Sequence, residues 1–189
     1  MKRTARDHFM AIIYVGMMAA IIFVATYFFK FDIPTPTGPV MIKTANALCL
    51  LSGLLFGGFY GGLSAGIGSM LFDLMDPRYT RYAPFSLCFF FLMGFVCGRI
   101  AHINGAKGQR FILNLLATSL GALTYFALNA ARNILELMFA GSGFIPAIIA
   151  NSTKLSVSAL NMVVGIILAL VLQKAIHPPL KAAGILDRF

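Results

Sequence analysis

The chain has 189 residues, a formal net charge of +9, 59% hydrophobic residues and only 11% charged residues, and its mean hydropathy is +0.86. This composition excludes a soluble globular protein, and the length suits one domain spanning 1–189, so we predict an all-α integral membrane protein in the lipid bilayer. The basic residues are dispersed among apolar runs instead of forming an aromatic-rich stripe, which argues against nucleic-acid binding. Cys49, Cys88 and Cys97 lie in apolar runs without metal-ligand spacing, so neither a metal nor a cofactor is predicted.

The first predicted span runs from Phe9 to Phe29, which contains no charged residue and follows a basic N-terminus. Such a flank stays in the cytoplasm under the positive-inside rule. Gly16, Ala19 and Ala20 form a small-residue patch near the middle of this span, where another helix could approach closely. The patch can serve either internal packing or contact with another protein.

The next segment, 30–39, contains three prolines and a glycine, which exclude a continuous helix. We predict an outer loop here. A rigid, proline-bearing loop of this length commonly has a function of its own, with a simple spacer as the alternative.

The stretch between Lys43 and Asp73 contains no charged residue and is too long for one ordinary membrane helix. We therefore predict two helices joined by a bend at the glycines from Gly57 to Gly62. The earlier helix is expected to begin near Met41.

After this bend, Gly62, Gly66 and Ser69 recur at helical spacing and predict a close contact with a neighbouring helix. Asp73 ends the same stripe and is a candidate for contact with a ligand, with an acid at the membrane surface as the alternative. A polar outer loop follows, in which Tyr79 is a second candidate ligand contact. The fourth predicted helix runs from Tyr82 to Gly98.

The fifth predicted helix begins near Arg110, and its outer half is polar. Four residues there can hold partners or a ligand: Asn129, Arg132, Asn133 and Glu136. Arg132 and Glu136 are four residues apart and can pair on one helix face. Beyond a predicted turn at 141–146, the sixth helix places four polar residues on one face: Asn151, Lys154, Ser158 and Asn161.

These two polar faces lie at the same depth on antiparallel neighbours, and polar groups in hydrocarbon need partners. A cavity with a few convergent polar groups is typical of a small-molecule site. The alternative is a network, Lys154 with Glu136 and Arg132 with amides, that only joins two helices. Because basic residues are concentrated in the termini and in the connection between the fourth and fifth helices, we predict a compact bundle of six transmembrane helices with both termini cytoplasmic.

Residues 38–99 resemble the substrate-binding S-components of energy-coupling factor (ECF) vitamin transporters, in particular the riboflavin, pyridoxine and hydroxymethylpyrimidine group. The resemblance rests on the following stretches: Gly38-Pro-Val-Met-Ile, Leu54-Leu-Phe-Gly-Gly, Gly61-Gly-Leu-Ser-Ala-Gly-Ile-Gly-Ser, Leu71-Phe-Asp-Leu, Tyr82-Ala-Pro-Phe and Met93-Gly94. These proteins often have a Lys shortly before the Met-Gly pair, where this chain has Phe89, Phe90 and Phe91.

The resemblance implies a vitamin-binding subunit in the plasma membrane of a prokaryote, without catalytic residues, that works with a transmembrane T-component and two ATPase subunits. It also implies that Gly16, Ala19 and Ala20 contact the T-component and that the segment from Asp32 to Gly38 closes over the vitamin. Pyridoxine or a hydroxymethylpyrimidine suits the mixture of amides and charges, and riboflavin is the larger alternative. The other functions considered are a stand-alone secondary transporter or channel and a membrane enzyme acting on lipid-linked substrates.

Overall fold

The computed structural model describes residues 5–33, 40–106 and 108–186, without the side chains of 5–8, 31–33, 40, 42 and 43. Most of the candidate lid, residues 34–38, lies outside this description. The elements are α1 (Ala5–Phe28), β1 (Lys30–Ile33), β2 (Val40–Lys43), α2 (Ala45–Met75), α3 (Ala83–Ala101), α4 (Phe111–Phe139), α5 (Phe144–Ala150) and α6 (Ser152–Ala182). The predicted fifth and sixth helices correspond to α4 and α6.

Five helices in the described ranges are long and apolar enough to cross a membrane: α1, α2, α3, α4 and α6. Their outward surfaces consist largely of Ile, Leu, Val and Phe side chains, because lipid, unlike water, solvates such groups. The chain is therefore a helical, multi-pass membrane protein. The count of six crossings depends on α2, which is not straight.

The long helix α2 folds back on itself at Gly57, where φ is +77° and ψ is −174°. This backbone conformation favours glycine, which has no Cβ to clash. The Ser52 hydroxyl donates to the Gly61 carbonyl at 2.8 Å, and Cys49 Sγ lies 3.6 Å from Ser69 Oγ. A straight helix would separate Cys49 from Ser69 by about 30 Å. Residues 45–56 and 58–75 are thus two antiparallel arms, and the predicted bend occurs at the first glycine of the run.

Small residues on arm 58–75 allow α3 to approach at backbone distance. A Cβ added to Gly62 would lie 2.6 Å from the Phe91 carbonyl oxygen, and one added to Gly66 would lie 2.7 Å from that of Leu87. The predicted close contact is therefore confirmed for Gly62 and Gly66. Ser69 points instead to Cys49 on the other arm.

The segment before α2 is a β-hairpin, which the sequence did not predict. Strands β1 and β2 pair antiparallel, with Lys30 opposite Lys43 and Ile33 opposite Val40. The prediction that a helix begins near Met41 was wrong, because residues 40–43 form the second strand. Their β-branched side chains favour extended backbone, and β1 provides the hydrogen-bond partners.

The bundle has two ends, which we call the hairpin end and the turn end. The hairpin end contains the β-hairpin, the start of α3, the end of α4 and the start of α6. There the Asn161 amide of α6 donates to the Met41 carbonyl of β2 at 2.7 Å. The turn end contains the Gly57 turn and the connection from α3 to α4, where Gln173 of α6 donates to the Gly108 carbonyl at 2.6 Å. Helix α1 begins and α6 ends at this turn end.

Asp76 fastens the β-hairpin to the end of α2. Its carboxylate accepts from Arg78 at 2.8 Å and from Lys30 at 3.0 Å. The Arg78 hydrogen bonds and the Lys30 ammonium hold the pKa of Asp76 well below its usual range. Because the folded-state pKa is depressed, this stabilisation is present above the unfolded pKa, near 4, and is lost as the pH falls below it.

We expect Asp76→Asn to lower the free energy of unfolding by about 1 to 2 kcal/mol at pH 7, since charged hydrogen bonds are lost. Thermal unfolding in detergent between pH 7 and pH 3 is the measurement, together with hydrogen exchange of the β1 amides. The variant should lose less stability on acidification than the wild type. An unchanged pH dependence and unchanged β1 exchange would contradict this role of Asp76.

Candidate functional site

The structure brings the polar faces of α4 and α6 together at the hairpin end. The Asn129 amide donates to Ser158 Oγ at 3.4 Å, and the Asn151 amide donates to the Asn133 carbonyl at 3.1 Å. Asn133, Asn151 and Ser158 are buried. The predicted alignment of these two helices is confirmed, whereas their use by a ligand stays a prediction.

Asn151 lies at the junction of two helices and not within the sixth helix as predicted. The short helix α5 occupies part of the predicted turn, and the Asn151 amide also donates to the Ala147 carbonyl of α5 at 3.1 Å. Asn151 therefore holds the α5–α6 junction against α4. Lys154 follows in the first turn of α6, half-buried and in electrostatic interaction with Glu136.

The charged residues of α4 contact Arg81 and Tyr82. These two residues belong to the polar outer loop just before α3, and they were not among the predicted ligand contacts. Glu136 accepts from the Arg81 guanidinium at 2.8 Å and from the Tyr82 hydroxyl at 3.0 Å. Arg132 donates to Asn133 Oδ1 at 2.5 Å, and its guanidinium lies 4.2 Å from the centre of the Tyr82 ring. The predicted Arg132–Glu136 pair is thus replaced by contacts with Arg81 and Tyr82, just before α3, and with Asn133.

A cavity of about 560 Å³ lies between the start of α3 and the end of α4. Its polar lining is Arg81, Tyr82, Arg132 and Glu136, and its apolar lining is Phe85, Phe89, Leu128, Ala131, Leu135 and Phe139. This volume is within the range of small-molecule sites. The Tyr82-Ala-Pro-Phe stretch, which contributed to the family resemblance, is the sequence signal that could have placed Tyr82 here.

Arg132 Nε and Asn46 Oδ1 are among the buried polar atoms that have no hydrogen-bond partner within the described residues. Asn46 lies where α2 meets α6, since a Cβ on Gly165 would be 3.2 Å from Asn46 Cβ. An unsatisfied buried polar atom costs about 1 to 3 kcal/mol. Both residues lie toward the hairpin end of the bundle, Asn46 near the start of α2 and Arg132 near the end of α4.

Asp73 and Tyr79, the other two predicted ligand contacts, lie at the α2–α3 connection. The buried Asp73 carboxylate accepts a hydrogen bond from Ser86 of α3. Tyr79 lies in the following turn, with the Arg78 guanidinium 5.5 Å from its ring centre. Asp73 thus has a role within the helix contact, and ligand binding by either residue stays a prediction.

The predicted partner-contacting patch on α1 is divided by the fold. Gly16 and Ala20 are exposed, and a Cβ on Gly16 would meet nothing within 4 Å. Ala19 is only 3% exposed, and its carbonyl oxygen lies 2.6 Å from the position of a Cβ on Gly68. The prediction that Ala19 contacts another protein is therefore corrected: Ala19 packs against α2.

Comparison with curated protein sequences gave no match. Among solved structures, the chain is similar to the crystal structure of the S-component for biotin from an ECF-type ABC transporter, with a TM-score of 0.61, 20% identity, and coverage of 92% of this chain and 95% of that one. At this identity, the likeness shows the fold. The sequence model of the ECF-type riboflavin transporter S component matches residues 8–178. Since this match covers most of the chain, the protein belongs to the family of ECF-type riboflavin transporter S components.

Proposed function

We propose that this chain is the substrate-binding subunit of an ECF-type importer and holds a small water-soluble vitamin at the hairpin end. The observation that supports this most is the cluster of amides and charges joining α4 to α6 and to the start of α3. Such groups are costly inside a membrane bundle. The 560 Å³ cavity beside them has the size and mixed lining of a small-molecule site.

Riboflavin is the first ligand to test, because the matching family is described by that vitamin. The uncharged amides near Lys154, Arg132 and Glu136 suit a ligand with several hydrogen-bonding groups. The chain has no Trp, so a heteroaromatic ring would stack on Phe or Tyr. Pyridoxine and hydroxymethylpyrimidine meet the same description with fewer rings and are the alternatives.

The proposed assembly includes a T-component and two ATPase subunits in the plasma membrane of a prokaryote. We infer that each arm of α2 crosses the membrane, which makes six crossings, and that both termini are cytoplasmic. This orientation is supported by the basic side chains at the turn end: Arg99, Arg110, Lys174 and Lys181. A lid from Asp32 to Gly38 remains part of the proposal.

Calorimetry of the purified chain with riboflavin, pyridoxine, hydroxymethylpyrimidine and biotin tests the proposal. We expect one of the first three to bind, and Asn129→Ala and Lys154→Ala each to weaken that binding about tenfold to a hundredfold. Asn151 is unsuitable, because its amide also holds the α5–α6 junction.

Thr124→Ala is the matched control on α4, since the Thr124 hydroxyl donates only within its own helix, to Leu120 at 2.8 Å. It should bind the vitamin as the wild type does. Binding unchanged in both Asn129→Ala and Lys154→Ala would show that the polar cluster only joins helices. Transport or catalysis by the purified single chain would favour the stand-alone transporter or the membrane enzyme instead.

A further inference from the structure

A second cavity, of about 550 Å³, lies at the turn end of the bundle, whereas the proposed vitamin site lies at the hairpin end. It is lined by residues 56–60 of the α2 turn and by residues between 95 and 103, from α3 and the turn that follows. The proposed transport function assigns nothing to this cavity, which we call the Arg99 cavity.

The Arg99 cavity has a positively charged wall. The aliphatic stem of Arg99 lies across Gly58, because a Cβ there would be 2.7 Å from Arg99 Cγ. Glycine at this position therefore lets the aliphatic part of Arg99 lie over the turn. His102 lies beside it, with its Nδ1–H donating to the Gly98 carbonyl at 3.0 Å and its ring 3.8 Å from a Cβ position on Gly57.

No carboxylate described by the structure neutralises this wall. The acidic side chains in the described ranges are Asp73, Asp76 and Glu136, and all three lie at the hairpin end. There Asp73 contacts Ser86, Asp76 contacts Lys30 and Arg78, and Glu136 contacts Arg81. Within the same ranges, Arg99 forms no ion pair and lies with its guanidinium 5.8 Å from the centre of the Phe95 ring. A basic wall of this kind attracts an anionic group.

Beyond Arg99 the lining becomes aromatic and continues along the outside of the bundle. Phe95 stacks on Phe91 with ring centres 5.8 Å apart, and Phe91 meets Phe59 edge-on at 6.2 Å. Phe59 is 58% exposed. The cavity thus presents a cationic group at one end of an apolar track, which matches a molecule with an anionic head and a hydrocarbon chain.

We propose that the Arg99 cavity binds an anionic phospholipid. Its phosphate accepts hydrogen bonds from the Arg99 guanidinium beside His102, and an acyl chain lies along Phe95, Phe91 and Phe59. The guanidinium is suited to phosphate because it can donate two parallel hydrogen bonds. This site is separate from the proposed vitamin site and does not depend on it.

Native mass spectrometry of the purified chain, titrated with phosphatidylglycerol or phosphatidylcholine of identical acyl chains, tests the proposal. We expect the wild type to prefer phosphatidylglycerol by about tenfold and Arg99→Gln to lose most of that preference. Arg99→Lys should retain part of it, since the charge remains. Arg110→Gln is the matched control, because Arg110 is an exposed basic residue near the same end that does not line the cavity.

Vitamin affinity and thermal stability measured on the same variants separate this proposal from the transport function, and Arg99→Gln should leave both unchanged. Equal binding of the two lipids by the wild type would overturn the proposal, as would an unchanged lipid preference in Arg99→Gln. If Arg99→Gln kept the lipid preference but no longer assembled with a T-component, the cavity would be a protein-docking surface instead.

Discussion

Replacing Gly66 with Leu is expected to prevent stable folding of the isolated subunit. A Cβ at this position would lie 2.7 Å from the Leu87 carbonyl oxygen of α3. The obstacle is backbone, so α3 and arm 58–75 must separate to admit the side chain. Overpacking usually costs about 1 to 3 kcal/mol, and we expect the upper end of that range or more because no flexible side chain can yield.

Thermal unfolding in detergent and the fraction of monodisperse protein are the measurements for Gly66→Leu. Gly16→Leu is the matched control, because Gly16 is also a helical glycine but a Cβ on it meets nothing within 4 Å. Its stability should change by no more than about 0.5 kcal/mol. A Gly66→Leu variant as stable as Gly16→Leu would show that α3 does not pack against Gly66.

Replacing Ala20 with Trp is expected to abolish vitamin uptake while leaving vitamin binding unchanged. This prediction rests on the proposed function, in which the exposed residues Gly16 and Ala20 of α1 contact the T-component. They lie four residues apart on one helix face, where a large indole would hold a partner helix away. Uptake in cells expressing the whole transporter should fall about tenfold or more.

Two other substitutions on α1 make the uptake experiment specific. Ile21 is 51% exposed and lies about 100° around the helix from Ala20, so Ile21→Trp should retain uptake. Ala19→Trp should lose stability and binding together, because Ala19 is packed against Gly68. If Ala20→Trp lost binding as well as uptake, the residue would belong to internal packing.

Several features of the site could be predicted because they depend on spacing along one helix. The recurrence of Asn129 and Asn133 on α4, and of Lys154 and Ser158 on α6, already indicated two polar faces at the same depth. The short connection between the helices made them antiparallel neighbours. Hydrogen bonds between Asn129 and Ser158 and between Asn151 and the Asn133 carbonyl followed from this arrangement.

The partners of the charged residues could not be predicted in the same way. Glu136 is close in sequence to Arg132, yet it pairs with Arg81, which is 55 residues away. That choice depends on the position of α3 beside α4. The α1 patch is likewise divided by a tertiary contact: Ala19 is buried because Gly68 of α2 lies against it, whereas Gly16 and Ala20 stay exposed.

The sequence by itself determined the membrane environment, the turn within the glycine run and the close contact at Gly62 and Gly66. The length of a charge-free segment and the missing Cβ of a glycine are local properties of the chain. Their effects can therefore be predicted without knowing the rest of the fold. Only the tertiary structure decided that residues 40–43 join a β-hairpin, that Arg81 and Tyr82 complete the polar cluster and that Arg99 lies over Gly58. Each of these depends on which backbone a segment meets across the bundle, and that contact is not encoded in the periodicity of any single helix.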